Sequence, residues 1–264
     1  MKKVIVMKKI QPHLNTYEKV SEDIKFISKS GIRLNILKSL FESPKSPKEL
    51  TIETGINYSS ISRAIHQLIA KDMVYRVNTK YHIVNSLKLV LPNIIELSDI
   101  ITFLNKIFNI LDEHNIESLP KKSIKEISLL LESKLIESVT IEPYKINKYI
   151  SDALIDANNI KCILPFYEDN IVNKLNNIVS NSSNSAEIKV HSEVFEVYKK
   201  NSKVKNISHF NNENNFLIII TNKIMILGFF KNNGDYDQNR ILISSSEKSL
   251  KWANNLFKNF KANK

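Results

Sequence analysis

Residues 46–71 read SPKELTIETGINYSSISRAIHQLIAK, a pattern typical of two short helices joined by a tight turn. Ser46 can cap the first helix and Asn57 the second, because both side chains accept hydrogen bonds from free backbone amides. Gly55 lies between the two helices and suits a left-handed turn, a conformation that strains residues with a side chain. The stretch therefore predicts a helix-turn-helix.

Helical and strand patterns on either side extend this motif. Apolar residues recur at helical spacing over residues 17–28 and 31–42. After residue 71, the stretches 74–77 and 81–84 alternate in the manner of strands around Asn78-Thr79-Lys80, which predicts a hairpin. The last three of these helices, followed by the hairpin, predict a winged helix, with the domain over residues 1–85.

The second helix of the motif combines an apolar face with a polar one. The polar face can offer hydrogen bonds to phosphates and base edges, and its residues are Tyr58, Ser59, Ser60, Ser62, Arg63, His66 and Gln67. Arg63 could grip a guanine and Gln67 an adenine, while Arg76 and Lys80 of the hairpin could reach the DNA backbone. Two alternatives stay open: Ser59 as a helix cap and His66 as a packing residue.

Charge is distributed unevenly along the chain. Residues 1–92 hold 16 basic and 7 acidic residues, against 22 and 20 in residues 93–264, so nine of the eleven net positive charges lie in the first third. A basic end joined to a near-neutral body favours a polyanion such as double-stranded DNA as the partner.

Residues 86–113 carry apolar side chains at alternating spacings of four and three: Val90, Ile94, Leu97, Ile101, Leu104, Phe108 and Leu111. Such a pattern over three heptads is typical of helices that pair. We expect residues 86–119 to form a linking helix that makes the protein a homodimer. A helix buried within its own subunit is the alternative.

From about residue 120 strands and helices alternate, which favours an α/β domain with a largely parallel sheet over residues 120–264. The apolar runs 216–220 and 224–227 predict strands that are covered on both faces. The whole chain is thus expected to be an α+β protein, with an N-terminal winged helix-turn-helix, a linking helix and a C-terminal α/β domain.

Several classes of protein are disfavoured by composition. One cysteine among 264 residues excludes a disulfide framework and favours a reducing cytoplasm. We expect this residue, Cys162, to be buried and to pack in the core. The apolar run 4–7 is too short for a signal peptide, and no run is long enough to span a membrane. Four dispersed glycines form no phosphate-binding loop, and His191 with Glu193 reads as a helix start. We expect no cofactor, no metal site and no catalytic residue.

Two parts of the chain resemble known regulators. Residues 31–84, with GIRLNILKSL and SSISRAI, resemble archaeal winged-helix regulators of the ArsR-like type. The series ILGFF (226–230), GDYD (234–237), LIS (242–244) and LKWA (250–253) resembles the effector domain of FilR-type methanogenesis regulators. Thr51 and Ala253 depart from the expected pattern, and the Asn-rich stretch 211–215 is an insertion. The resemblance implies a dimeric archaeal transcription regulator whose C-terminal domain senses an effector.

Three residues are candidates for the effector site. Tyr236, Asp237 and Trp252 could line a pocket at the end of the sheet, where open α/β sheets bind ligands. The alternative is that Trp252 packs the last helix and that Asp237 caps a turn.

These observations favour a sequence-specific DNA-binding regulator whose C-terminal domain could bind an unknown small-molecule effector. Two alternatives of another class remain: an α/β enzyme that carries a winged helix for docking, and a protein-interaction module. The operator and the sign of control do not follow from the sequence.

Overall fold

The computed structural model describes residues 21–155, 157–181, 183–211 and 215–263, without the side chains of residues 108 and 109. The run 4–7, the start of the predicted helix 17–28 and most of the insertion 211–215 lie outside the described residues. The described chain forms two compact units, one ending at Ile101 and one beginning at Thr102. This division falls between the boundaries predicted at residues 85 and 119.

The first unit has the element order predicted for a winged helix. Its elements are α1 (21–28), α2 (Gly31–Glu42), α3 (Pro47–Thr54), α4 (Tyr58–Ala70), β1 (Val74–Val77) and β2 (Lys80–Ile83). The strands pair as an antiparallel hairpin, with Val77 opposite Lys80. We call this hairpin the wing.

Local sequence fixes the turn between α3 and α4. Ser46 and Glu49 form a full capping box, in which the Glu49 carboxylate accepts from the Ser46 backbone amide at 2.7 Å. Gly55 ends α3 with a φ of 69°, the left-handed conformation predicted from its position. Asn57 caps α4 by accepting from the Ser60 amide.

The apolar faces of these helices meet in one core. Ile36, Leu37, Leu50, Ile61 and Leu68 are fully shielded from solvent there. Helices α2, α3 and α4 each contribute, so α4 is anchored by its apolar face.

The helix predicted over residues 86–113 is divided in two, α5 (Asn85–Lys106) and α6 (Phe108–Glu113). Ile107 interrupts the run, with its amide shared between two carbonyl oxygens of the preceding turn. Leu91 and Ile94 of α5 are buried in the core of the first unit, whereas Phe103 and Ile110 are buried in a core of the second.

The second unit is built around a seven-stranded sheet. Its elements are α6, α7 (Lys121–Lys125), 3-10 turns at Ile116–Ser118 and Ile127–Leu130, β3 (Lys134–Glu137), α8 (Lys145–Ile155), β4 (Asn159–Leu164), α9 (Asp169–Val179), β5 (Ser185–His191), α10 (Ser192–Asn201), β6 (Asn206–Phe210), β7 (Phe216–Ile220), β8 (Met225–Phe230), β9 (Tyr236–Ser244) and α11 (Glu247–Asn259). The strand order is β3-β9-β8-β7-β4-β5-β6.

The α+β class is confirmed, but the prediction of a largely parallel sheet is wrong. Only the β4–β5 and β5–β6 pairs are parallel, and the other four are antiparallel. The apolar runs in β7 and β8 are indeed covered on both faces. Burial on both faces does not require parallel pairing, because a central antiparallel strand between two helical layers meets the same condition.

Successive residues of the central strands face two different cores. Ile218, Leu227 and Leu242 lie in the core beneath α11. Leu217, Ile226 and Ile241 lie in the core beneath α8, α9 and α10. The alternation follows from the two-residue period of a strand and defines two faces of the sheet, named here the α11 face and the α8 face.

Candidate nucleic-acid interface and effector cavity

Helix α4 exposes the polar face that the sequence predicts. Tyr58, Ser59, Arg63, His66 and Gln67 are exposed, and Ser60 and Ser62 are half-buried. The opposite face carries Ile61, Ala64, Ile65 and Leu68, all buried. The helix is therefore held by one side and offers the other to a partner.

Arg63 and His66 are the groups on this face best placed for recognition. Both side chains are exposed, and neither side chain forms a hydrogen bond or ion pair within the described part of the chain. Their donors can therefore bind a partner without breaking an existing contact. Ser59, by contrast, donates to Asn57 Oδ1 at 2.8 Å and supports the helix cap.

Gln67 is engaged by a residue of another helix. Arg33 Nη1 of α2 donates to Gln67 Oε1 at 3.0 Å, and the Arg33 guanidinium lies 3.9 Å from the centre of the Phe26 ring. A bidentate contact to adenine uses both the oxygen and the nitrogen of the amide. The amide oxygen has two lone pairs, so Gln67 can accept from Arg33 and from an adenine at the same time.

The wing brings its two basic residues close to the motif. Arg76 Nε donates to the Asn78 carbonyl at 2.7 Å, which holds the guanidinium at the tip of the wing. Lys80 Nζ lies 3.5 Å from Glu49 Oε1 of α3, and both side chains are about half exposed. An exposed ion pair of this kind is weak, so Lys80 can exchange it for a phosphate.

A cavity of about 260 Å³ lies on the α8 face of the second unit, at the carboxyl end of β4. Its lining comes from α8, from the segment after β4, and from β7 and β9: Ile146, Asn147, Ile150, Phe166, Tyr167, Glu168, Leu217, Tyr236 and Gln238. We call it the Tyr236 cavity. Of the three residues predicted for an effector site, only Tyr236 lines it.

The hydroxyl of Tyr236 is buried and has no hydrogen-bond partner among the described residues. Gly228 makes room for it, because a Cβ at that position would lie 2.5 Å from the hydroxyl oxygen. Burial, followed by the nearby charges of Glu168 and Asp237, raises the pKa of Tyr236. The hydroxyl is therefore a neutral donor at physiological pH.

Asp237 does not line the cavity, which corrects the sequence-based expectation. Its carboxylate is buried and receives His114 Nε2 at 2.9 Å and Arg240 Nε at 2.7 Å. The reason is the two-residue period of a strand, which points the neighbours Tyr236 and Asp237 to opposite faces of the sheet. Strand β9 also has an irregularity here, since Phe230 pairs with Tyr236 but Gly228 pairs with Ile241.

Trp252 does not line the cavity either. It packs in the core, which was the alternative expected for it. It is buried on the α11 face, opposite the cavity, and its Nε1 donates to the Ser123 carbonyl at 2.9 Å. The three residues predicted for the effector site are therefore not brought together.

Sequence reasoning missed Phe166 and Glu168, which follow β4 and line the cavity. One available signal was Gly228, since a glycine inside an apolar strand often marks close approach of another group.

Two other residues have the roles that the sequence favours. Cys162 is buried, and burial raises the pKa of its thiol, so the thiolate needed for reactivity is suppressed. His191 precedes α10 and its Nδ1 accepts from the Glu193 amide. Within the described ranges, no three His, Cys, Asp or Glu side chains group as metal ligands, and no helix is long and apolar enough to cross a membrane.

Two family models match the chain. The model for the N-terminal domain of methanogenesis regulatory protein FilR1 matches residues 21–105. The model for the middle domain of the same protein matches residues 143–263. A search of curated proteins finds no match.

Solved structures of several kinds share part of the arrangement. TrmBL2, an archaeal chromatin protein, is 12% identical with a TM-score of 0.37, over 91% of this chain and 98% of that one. NucT from Helicobacter pylori is 13% identical with a TM-score of 0.38, over 48% of this chain and 92% of that one. The phospholipase D family member Nuc from Salmonella typhimurium is 9% identical with a TM-score of 0.33, over 50% and 97%. Because these TM-scores lie below 0.5, the likenesses do not indicate a shared function.

Proposed function

Because the chain belongs to the family of the methanogenesis regulatory protein FilR1, we propose that it is a transcription regulator that binds double-stranded DNA through helix α4 and the wing. The second unit is then the effector domain. The observation that carries the proposal is the two-sided character of α4, with Ile61 and Leu68 buried and Arg63 and His66 exposed and uncommitted.

The geometry supports a division of roles between the two elements. A helix fits the major groove, where base pairs present distinct patterns of donors and acceptors, so α4 would read sequence. Arg63 would donate to a guanine edge, and Tyr58 and the serines would contact bases or phosphates. Arg76 and Lys80 of the wing would contact the backbone, which fixes register rather than sequence.

The experiment selects bound fragments from the genome of the source organism and measures their affinity by fluorescence anisotropy. We expect the recovered site to bind about a thousandfold more tightly than a scrambled duplex. Affinity for both duplexes should fall as salt rises, because phosphate contacts release counterions. Equal affinity for the two duplexes would contradict the proposal.

We further propose that α5 pairs two copies of the chain. Three residues of its heptad series are exposed, namely Val90 at 44%, Leu97 at 54% and Ile101 at 51%. Three large apolar side chains on one stripe of a helix are typical of an interface. A dimer would place two α4 helices on half-sites about one helical turn apart.

Sedimentation velocity of the Leu97→Lys/Ile101→Lys variant tests the pairing. We expect the wild type to sediment as a dimer and the variant as a monomer, because each subunit would bury two charges in the interface. Glu96→Lys, at an exposed position about 100° around the same helix from Leu97, is the control and should stay dimeric. A variant that sediments like the wild type would exclude this interface.

A further inference from the structure

The Tyr236 cavity contains two polar groups whose natural partners are absent from its walls. One is the Tyr236 hydroxyl, buried without a hydrogen bond. The other is the carboxylate of Glu168, half-buried at the start of α9 and in no ion pair within the described residues. Buried polar groups in proteins are normally paired, so the Tyr236 hydroxyl points to a missing acceptor. The Glu168 carboxylate has a hydrogen bond from the Asn170 side chain but lacks a cation to balance its charge.

The second tyrosine of the cavity provides a contrast. The hydroxyl of Tyr167 donates to Asp169 Oδ1 at 2.9 Å and is therefore satisfied. The donor of Tyr236 is not, although it is the more deeply enclosed of the two. Its position is also specified by the sequence, since only a glycine at 228 leaves room for the oxygen.

The other residues that line the cavity indicate the chemistry of the rest of the ligand. Ile146, Ile150 and Leu217 supply aliphatic surface, and the rings of Phe166 and Tyr236 lie with their centres 4.6 Å apart. The volume of 260 Å³ is below the ~300 Å³ at which pockets accept drug-sized ligands. The occupant is therefore a small molecule with an apolar or aromatic body.

From this geometry we propose that the Tyr236 cavity binds a small organic amine, whose ammonium pairs with Glu168. In an amine that also carries an acceptor atom, such as the phenol oxygen of tyramine, that atom receives the Tyr236 hydroxyl. Burial raises the pKa of Glu168, as expected for a carboxylate that lacks a cation, and a bound ammonium would lower it again. Because the amine would be the effector, the inference rests on the proposed function, but binding itself is measurable without DNA.

The test is isothermal titration calorimetry of the full chain at pH 7 with three amines: tyramine, benzylamine and isoamylamine. We expect at least one to bind, and its uncharged and acidic counterparts, p-cresol, benzyl alcohol, isoamyl alcohol and 4-hydroxyphenylpropionate, to bind at least tenfold more weakly. Glu168→Gln should weaken the amine at least tenfold, and Tyr236→Phe should weaken tyramine at least threefold.

Matched substitutions outside the cavity serve as controls. Glu117→Gln and Tyr144→Phe change exposed residues and should leave binding unchanged. The proposal is overturned if none of the three amines binds, if the alcohols bind as well as the amines, or if Glu168→Gln has no effect. Loss of DNA binding with intact amine binding would instead contradict the proposed function alone.

Discussion

The imidazole of His114 and the carboxylate of Asp237 meet in the interior of the second unit, with 2.9 Å between Nε2 and Oδ2 and almost no exposure of either side chain. The other ring nitrogen of His114 lies 2.6 Å from the Ile110 carbonyl oxygen. Arg240 joins the same carboxylate and also pairs with Glu113. These contacts attach the end of α6 to strand β9, directly beside Tyr236.

Removal of the Asp237 charge should destabilise the protein. Asp237→Asn removes the charge that pairs with Arg240 and replaces one acceptor oxygen with an NH2 donor, so either the Asn239 amide or the His114 and Arg240 groups lose their acceptor. Breaking a buried pair from one side costs roughly 3 kcal/mol. Urea unfolding should report this loss in the free energy of unfolding. Asp235→Asn, an exposed neighbour, should change it by less than about 0.5 kcal/mol. Equal stability of the two variants would rule out a structural role for the network.

Acid should weaken the same network. Burial alone would raise the pKa of Asp237, but hydrogen bonds from the Asn239 backbone, Arg240 and His114 outweigh it, so the pKa lies below the ordinary 3.8. A carboxyl with a lowered folded pKa contributes stability that is present above its unfolded value and is lost as pH falls through the folded one. The stability difference between wild type and Asp237→Asn should therefore shrink below pH 3.8.

The pKa of Glu168 is shifted in the opposite direction to that of Asp237, so its effect on stability must be separated from the effect of Asp237. Burial raises its pKa above the ordinary 4.5, so its contribution is present below that value and is lost as pH rises through the folded one. Comparing wild type with Asp237→Asn at each pH removes the Glu168 contribution, because both proteins retain it. A difference that stays constant from neutral pH into the acid range would contradict the assignment to Asp237.

The turn between α3 and α4 makes a separate prediction. Gly55 has a φ of 69° and open space where a Cβ would lie, so Gly55→Ala meets backbone strain without a clash. The expected loss is about 1 kcal/mol in the free energy of unfolding, measured by thermal or urea unfolding. Gly31→Ala is the matched control, since Gly31 also has open space but no positive φ, and it should not destabilise. Equal losses in the two variants would refute the argument from strain.

How far sequence predicted the fold depends on the range of the interactions. The helix-turn-helix was predictable because its determinants, the cap at Ser46 and the glycine at 55, are local. The β9 irregularity was not, because it depends on pairing with β8. The Arg33–Gln67 contact spans 34 residues and the His114–Asp237 contact 123, and no spacing rule links residues that far apart.

For DNA binding, the exposed residues of α4 and the wing should behave differently. Arg63→Ala should weaken affinity for the selected site about tenfold and relax discrimination at one base pair, as expected for a residue that reads a base. Lys80→Ala should weaken all duplexes alike and reduce the salt slope by about 1. Lys251→Ala removes an exposed charge from the second unit and should change neither. Anisotropy titrations at several salt concentrations measure all three, and identical behaviour of Arg63→Ala and Lys80→Ala would oppose the division of roles.

Tyr236 should be a site where stability and binding oppose each other. Its hydroxyl is buried without a partner, and such a group carries a desolvation cost of about 1 kcal/mol or more. Tyr236→Phe removes the hydroxyl and keeps the ring against Phe166, so the variant should unfold at higher urea, with a gain of about 1 kcal/mol. Tyr144→Phe, at an exposed position, should be neutral. If Tyr236→Phe instead destabilises the protein, the hydroxyl has a partner within the fold, and the cavity loses the donor on which its assignment as a binding site depends.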